Sequence, residues 1–265
     1  MDSIILFHIL VKNKEPILEF WLEQNLEKTT YPKKNIILFI RTNNNTDSSK
    51  EILINWIEKN RDLYKEIIFE DQDVEEKVEQ FDVHEWNETR FQVLSRLRQE
   101  GIQKAINLNT DFYFVCDVDN FLLPNTLLKL VETKLPIVAP LLKYACSEDD
   151  YRPGYSNFHH PVNEYGYFVN SETFSYILNR IEPGLHLVDL VHCTYLIKKN
   201  VLDKISYTDG TTDYEYVIFS RNVRKEDIPQ ILDTRQIYGC ITLTENLNNC
   251  KNYMENLELE TENKE

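Results

Sequence analysis

The sequence predicts an α/β fold in which helices flank a mostly parallel, twisted sheet. Short apolar runs, typical of strands buried on both faces, alternate with amphipathic segments of helical period through the first half of the chain. The segments between these runs are long enough for a helix to cross from one strand to the next, as parallel pairing requires. With 265 residues, 42% of them hydrophobic, the chain can also bury a sizeable core.

Five apolar runs are expected to form the strands of this first half. Most are rich in Ile, Leu, Val and Phe, and they are bounded by polar or turn-forming residues. In chain order they are residues 4–11, 36–40, 67–69, 112–116 and 137–139.

The helices between these strands have recognisable starts. Pro16 and Pro124 suit the first turn of a helix, where a backbone N–H would have no partner in any case. Ser48 or Ser49, and Asn87, can cap the next two helices because their side-chain oxygens accept from free backbone N–H groups.

The second half of the chain is less regular. Residues 143–167 are polar and aromatic, and they precede an expected helix at 171–180 and an apolar stretch at 187–197. Residues 251–265 carry five Glu and two Lys and are expected to be a frayed acidic tail. Because no break in composition marks a linker, a single domain over residues 1–250 is predicted.

Two carboxylates, Asp117 and Asp119, follow the strand at 112–116. Carboxylates beside a buried strand are unfavourable unless a cation meets them, and Mg2+ or Mn2+ would share such ligands with nucleotide phosphates. In parallel sheets, ligands bind beyond the carboxyl ends of the strands. The pattern favours a binding site for a metal-bound nucleotide diphosphate. The alternative is an acidic strand end or turn cap with no bound metal. A second pair, Asp71 and Asp73, enters a dense acidic run and predicts a solvated loop.

Composition excludes several classes of function. The net charge of −15 argues against nucleic acid and anionic membranes as partners. The six glycines form no dinucleotide-binding or Walker-type loop, and no apolar run approaches the ~20 residues of a membrane span. Residues 1–11 lack the basic start and cleavage site of a signal peptide, and the five cysteines show no C-x-x-C spacing. We therefore expect a reducing, cytoplasmic location.

Ten blocks of sequence resemble the N-terminal glycosyltransferase domain of the procollagen galactosyltransferases, glycosyltransferase family 25. They occur in order along nearly the whole chain: Leu10-Val-Lys-Asn13, Tyr31-Pro32, Asn45-Thr-Asp47-Ser, Trp86-Asn-Glu-Thr-Arg90, Asp117-Val-Asp119-Asn120, Val138-Ala-Pro140-Leu-Leu, Tyr155-Ser-Asn157-Phe158, Gly166-Tyr167, Val191-His192-Cys-Thr194 and Tyr238-Gly239. The helix, strand and Asp-x-Asp layout from Arg98 to Asp119 also resembles the wider superfamily of glycosyltransferases with the GT-A fold.

The resemblance implies an enzyme, a hexosyltransferase that uses UDP-galactose or UDP-glucose and Mn2+ (or Mg2+). Its acceptor would be the hydroxyl of 5-hydroxylysine in a collagen-like protein, and the anomeric carbon would invert. Residues 1–140 would form the nucleotide-sugar half and residues 141–250 the acceptor half. The chain has room for one transferase domain and shows no retention signal. We therefore expect a free-standing viral or microbial version, in the host cytoplasm or virion if viral, and we allow for a homodimer.

The nucleotide contacts are expected at the ends of the first two strands. Val11 and Asn13 follow strand one, and Thr42, Asn44 and Asp47 follow strand two. Asp47 would accept from the uracil or ribose. The alternative is an Asn/Asp-rich turn in which Asp47 caps a helix.

Asp119 is expected to bind the metal directly, and Asp117 to serve the metal, the ribose or both. His192 is the best candidate for a third ligand, with a core histidine bonded to the backbone as the alternative. Arg90 and Arg98 could reach the diphosphate, or each could be an exposed surface arginine.

Inversion requires a general base for the acceptor hydroxyl. Asp213 and Glu215 lie at the expected start of a helix, where the family has adjacent carboxylates, and we favour Glu215. Charge complementing a helix dipole is the alternative. The aromatic segment 144–167 is expected to be an acceptor or sugar surface, or else core packing.

Two other functions stay open. The chain could be a GT-A glycosyltransferase that acts on a glycan or lipid-linked acceptor, because the donor site would be shared. It could also be an inactive module that binds a UDP-sugar or collagen. The sequence Tyr214-Glu215, where the family has two adjacent aspartates, would allow this.

Overall fold

The computed structural model describes residues 2–74, 87–145, 152 and 154–262. Its strands are β1 (Ile5–Val11), β2 (Ile36–Thr42), β3 (Glu66–Asp71), β4 (Phe112–Cys116), β5 (Asn120–Leu122), β6 (Ile137–Pro140), β7 (Leu142–Tyr144), β8 (Phe158–His159), β9 (Leu185–Val188), β10 (Leu190–Val191), β11 (Thr194–Lys198), β12 (Gln230–Asp233) and β13 (Gly239–Ile241).

The described residues also form seven α-helices. They are α1 (Glu15–Leu22), α2 (Ser49–Asn60), α3 (Glu88–Asn107), α4 (Thr126–Thr133), α5 (Glu172–Leu178), α6 (Glu215–Lys225) and α7 (Leu247–Glu262). A five-residue π-helix, Glu23–Glu27, continues α1, and short 3-10 turns cover Lys33–Asn35, Arg61–Leu63 and Lys199–Lys204. As predicted, the side chain of Asn87 caps α3, accepting from the backbone N–H of Arg90 at 3.1 Å.

Eight strands form the main sheet, in the order β3-β2-β1-β4-β11-β6-β12-β9. β1 to β4 are mutually parallel where they pair, as are β6 and β12. β11 runs antiparallel to both of its neighbours, β4 and β6, and β9 runs antiparallel to β12. The prediction of a mostly parallel sheet in an α/β fold is confirmed.

Helices cover both faces of this sheet. Alternate side chains of β1 point to opposite faces, so that Ile5 and Phe7 join one hydrophobic cluster and Leu6 joins another. The first cluster receives side chains of α1, α2, α4 and α7, and the second receives side chains of α3, α5 and α6. Each central strand is therefore apolar on both faces, which is why its sequence reads as a continuous apolar run.

The apolar stretch 187–197 contains parts of three strands, β9, β10 and β11. Asp189 separates the first two, and Cys193 takes a positive φ of 63° before β11 begins. One expectation from the sequence is wrong. Residues 251–262 are not a frayed tail. They continue α7, whose apolar side buries Met254 and Leu257 against the core while Glu255 and Glu260 are exposed.

Parts of three expected segments lie outside the described residues. These parts are residues 75–82 of the acidic run, 146–151 and 153 of the aromatic segment, and 263–265 of the acidic tail. In the part of the chain that is described, no helix combines the length and apolar character needed to cross a bilayer.

A small three-stranded sheet, in the order β5-β13-β7, lies directly after the Asp pair. Gly239 opens its central strand in a tight approach to β5, and a Cβ at this position would lie only 1.9 Å from the carbonyl oxygen of Phe121. The neighbouring atom is backbone, so a rotamer change would not relieve the contact.

We expect Gly239→Ala to destabilise the protein by about 3 kcal/mol or more, because the backbone of β5 or β13 must shift. Denaturant unfolding monitored by circular dichroism measures this change. Gly154→Ala is the matched control, since a Cβ there meets nothing within 4 Å. Equal unfolding midpoints for the two variants would contradict the packing described here.

Candidate active site

The loop that carries the Asp pair is held from one side by the end of α1 and the π-helix. The indole Nε1 of Trp21 donates to the carbonyl oxygens of Asp117 at 3.1 Å and Asn120 at 2.8 Å. The Asn25 amide donates to the same Asn120 oxygen at 2.8 Å and accepts from the N–H of Leu122 at 2.9 Å. These polar side chains are buried, so their hydrogen bonds fix the backbone of the turn.

From the other side, β11 and the end of β13 hold the same loop. The N–H of Asp117 donates to the carbonyl oxygen of Cys193 at 3.0 Å, and the N–H of Thr242 donates to that of Asp119 at 2.9 Å. The Asn120 amide donates to Thr194 Oγ1 at 2.7 Å. With the backbone occupied in this way, both carboxylates are directed to the surface, each with a side chain that is 28% exposed.

Each carboxylate of the pair has a cationic neighbour. The guanidinium of Arg98, projecting from α3, is buried and bonds directly to the carboxylate of Asp117. The ammonium of Lys14, in the loop after β1, lies 3.7 Å from Asp119 and 2.6 Å from Glu245. Arg98 is therefore not the exposed surface arginine that the sequence left as an alternative.

Negative charge nevertheless accumulates here. Burial raises the pKa of Asp119 to about 6, with Lys14 opposing the shift and Asp117 and Glu245 adding to it. Burial likewise raises the pKa of Glu215 to about 7, although Arg98 opposes this shift. A further cation at this edge would stabilise the ionised forms of these carboxylates.

The donor set fits a divalent ion bound jointly with phosphates. Among the described residues, no three Asp, Glu, His or Cys side chains are grouped closely enough to hold a metal alone. Mg2+ and its analogues, however, take one or two protein carboxylates together with substrate phosphate oxygens. Two partly exposed carboxylates at the end of β4 meet that requirement.

His192 has the properties of a further ligand. Burial lowers its pKa well below the usual range and keeps the ring neutral, as metal binding requires. Nδ1 lies 2.7 Å from Cys193 Sγ, and the buried Nε2 has no hydrogen-bond partner among the residues described. Buried polar atoms are normally paired, so this nitrogen is available to a bound group.

The loops after β1 and β2 contact each other. Thr42 Oγ1 donates to the carbonyl oxygen of Val11 at 2.9 Å, and the Asn13 side chain accepts from the N–H of Thr46 at 2.8 Å. Asn13 and Asn44 both have positive φ values, 50° and 44°, a conformation that asparagine tolerates better than most residues. The asparagines thus shape the turns beside Lys14.

Asp47 serves the backbone. Its carboxylate accepts from the N–H groups of Glu15 and Ser49, each at 3.0 Å, and so joins the first turns of α1 and α2. Of the two interpretations left open by the sequence, this geometry supports the turn and helix cap.

Arg90 is separated from Arg98 along α3. It lies in the first turn of the helix, and eight residues of rise place it about 12 Å away along the axis. The two arginines therefore do not meet the Asp pair in the same way.

The two candidate bases have different environments. Glu215 is the first residue of α6 and is buried, with 9% exposure. Asp213 accepts hydrogen bonds from Tyr167 Oη and from Arg221 Nη2, which lower its pKa. Glu215 therefore gains and loses its proton near neutral pH, whereas Asp213 stays ionised.

Part of the aromatic segment adjoins this region. The ring centroids of His159 and His192 are 5.2 Å apart, and the ring of Tyr216 lies 5.0 Å from that of His192. Phe158 is fully buried, so it belongs to the core, which is the alternative that the sequence allowed for any single aromatic residue.

Sequence reasoning missed Lys14 and Glu245. Lys14 could have been found, because it directly follows Asn13 at the end of the first strand. Glu245 carries no local signal. Glu245 lies 231 positions after Lys14 in the sequence. It is a loop residue, and its own φ is positive, at 52°.

Solved structures share this fold. The mannosyltransferase PcManGT from Pyrobaculum calidifontis, in complex with GDP-Man and Mn2+, superposes with a TM-score of 0.54 over 91% of this chain and 57% of its own, at 13% identity. At that identity the likeness concerns the fold, which is GT-A-like.

Sequence comparison is more specific. A glycosyltransferase 25 family member of Anopheles gambiae is 32% identical over 251 residues, which are 89% of this chain and 41% of the relative. Procollagen galactosyltransferase 1-A of Xenopus laevis is 29% identical over 245 residues, 89% of this chain and 39% of the relative. The chain thus spans about two fifths of the length of these curated relatives. The model of glycosyltransferase family 25, N-terminal domain, matches residues 2–258, and the chain belongs to this family.

Proposed function

We propose that this chain is a metal-dependent hexosyltransferase that moves galactose or glucose from a UDP-sugar to hydroxylysine of a collagen-like protein, with inversion. The observation that carries the proposal is the pair of partly exposed carboxylates, Asp117 and Asp119, at the carboxyl edge of the sheet, beside the buried Glu215. Membership of the family supports the transfer of a sugar, and the name of the Xenopus laevis relative supports galactose and collagen.

Asp117 and Asp119 would hold Mn2+ or Mg2+ together with the diphosphate. His192 stays a prediction as a further ligand, because in the described residues it does not form a three-residue metal group with the two carboxylates. When bound, the ion would stabilise the negative charge that develops on the UDP leaving group. The presence of Mn2+ with a nucleotide-sugar in the PcManGT structure supports this choice. Arg98 would orient Asp117, since its buried side chain bonds directly to that carboxylate.

The nucleotide would lie along the ends of β1 and β2. Val11, Asn13, Thr42 and Asn44 would contact it, whereas Asp47 would act by holding the two loops together. Arg90, at the start of α3, would contribute positive charge to the nucleotide half.

Glu215 would be the general base. As the acceptor oxygen bonds to the anomeric carbon and UDP departs, the carboxylate would take the hydroxyl proton. A pKa of about 7 matches that task near neutral pH, because the ionised group is then available and basic enough to accept the proton. Asp213 suits it less well, since hydrogen bonds from Tyr167 and Arg221 lower its pKa.

The first test of the proposal is a UDP-release assay with Mn2+. UDP-galactose and UDP-glucose are compared, each with and without a hydroxylysine-containing collagen peptide. We expect peptide-dependent release with one of the two sugars. Transfer to a glycan acceptor with none to the peptide would redirect the proposal to another acceptor class, and Mn2+-dependent UDP binding without transfer would identify a binding module.

Asp119→Asn should lower the rate of transfer by about 100-fold or more, because a carboxylate that would neutralise the metal is lost. Asp71→Asn is the matched control. It removes the same charge from the other Asp-x-Asp, where Asp71 pairs with Lys50 at 2.5 Å. Full activity of Asp119→Asn in a folded protein would refute the assigned metal site.

Glu215→Gln should lower the rate by about 100- to 10,000-fold, since the amide cannot accept the proton. In the unsubstituted protein, activity should rise with pH through about 7, because the base must lose its own proton first. Initial rates from pH 5.5 to 8.5 measure this profile. In Asp213→Asn, activity should rise with pH over the same range as in the unsubstituted protein. If the substitution shifts that rise, Asp213 and not Glu215 is the general base.

A further inference from the structure

Lys14 lies between two carboxylates. Its ammonium is 2.6 Å from Glu245 and 3.7 Å from Asp119, and its side chain is 20% exposed. Its own backbone N–H donates to Ser49 Oγ at 2.8 Å. The backbone is therefore anchored, while the long, flexible side chain can change its torsions and favour either carboxylate.

The nearer partner of Lys14 is Glu245, not the Asp pair. A cation with a second partner can leave Asp119 without becoming an unpaired charge, which would be strongly unfavourable in a partly buried position. Arg98 contrasts with this arrangement, because the residue is 4% exposed and its guanidinium bonds directly to Asp117.

The charges at the site are unbalanced. The groups that interact electrostatically here are the carboxylates of Asp117, Asp119, Glu215 and Glu245 and the cations Lys14 and Arg98. The carboxylates thus outnumber the cations four to two. A divalent ion could therefore be accommodated here without expelling Lys14 from the region.

We propose that Lys14 is a built-in counter-ion of Asp119 that a divalent metal displaces, and that Glu245 receives the lysine when the metal binds. Lys14 then competes with the metal, while Glu245 favours the metal by drawing the ammonium away. The inference rests on the proposed function, because it takes Asp119 as a metal ligand. It assigns Lys14 and Glu245 opposite effects on metal affinity.

The test is a titration of the full chain with Mn2+ alone, in which electron paramagnetic resonance counts the free ion. Lys14→Met should bind Mn2+ about tenfold more tightly, and Glu245→Gln about tenfold more weakly, effects of the size expected for one charge at a partly exposed site. Lys14→Gln gives the same test if the methionine variant does not fold.

The double variant shows how Glu245 acts. If Glu245 works through Lys14, adding Glu245→Gln to Lys14→Met should change Mn2+ affinity by less than about threefold. A loss as large as in the single variant would make Glu245 a ligand itself and overturn the inference.

Lys28→Met is the matched control, because it removes the same charge from a pair with Glu258 that is also 3.7 Å long. Its Mn2+ affinity should stay within about twofold of the unsubstituted protein, as for a surface charge screened by solvent.

Two outcomes would contradict the inference. If Lys14→Met binds Mn2+ with unchanged or weaker affinity, while Asp119→Asn abolishes binding, this inference alone is overturned. Normal binding in Asp119→Asn overturns the metal site and the inference together. Thermal unfolding of each variant confirms that it is folded.

Discussion

Two carboxylates at the end of a fully buried strand are the constraint on which the rest of the site depends. β4 is buried along its whole length, and the chain leaves it through Asp117 and Asp119. Placing them there requires partners for both the charge and the backbone. Helix α3 and the loop after β1 supply the cations, and Trp21 and Asn25 supply hydrogen bonds to the turn. Residues distant in sequence are thereby committed to one small region.

The same constraint explains why buried polar residues are concentrated around this edge. A polar group in the core is tolerated when its hydrogen bonds are satisfied. The Asn25 amide satisfies its hydrogen bonds on the backbone, and the Asn120 amide nitrogen donates to Thr194. Both side chains thereby fix the direction of the carboxylates. Rigid support of this kind is what a site needs when its ligands must be held at defined positions.

Much of the fold could be predicted because its strands are apolar on both faces, a signal that is local in sequence. The same apolar runs show where each strand ends, so the Asp pair and the loops of Asn13 and Thr42 could be placed at the edge of the sheet. The helix α7 was missed because its many glutamates conceal a narrow apolar stripe that includes Met254 and Leu257.

The site was less accessible to sequence reasoning than the fold. The pairing of Arg98 with Asp117 spans 19 positions and follows from a helix that precedes its strand, so it could be anticipated. Lys14 and Glu245 meet only because β13 places the loop after it beside the end of β1. The role of Asp47 turned on which donors surround it, and both of those donors are backbone groups. Contacts of this kind depend on the completed fold.

The position of β11 has a consequence for how the molecule could be divided. This strand comes from the later half of the chain, yet it lies between β4 and β6 and separates two strands of the earlier half. A fragment ending near residue 140 would have an open slot in the middle of its sheet, with unpaired backbone groups on both sides. The halves are interleaved, so neither is a portable module. During synthesis the gap between β4 and β6 can be filled only after residue 198 has left the ribosome, so the earlier strands depend on a strand of the later half.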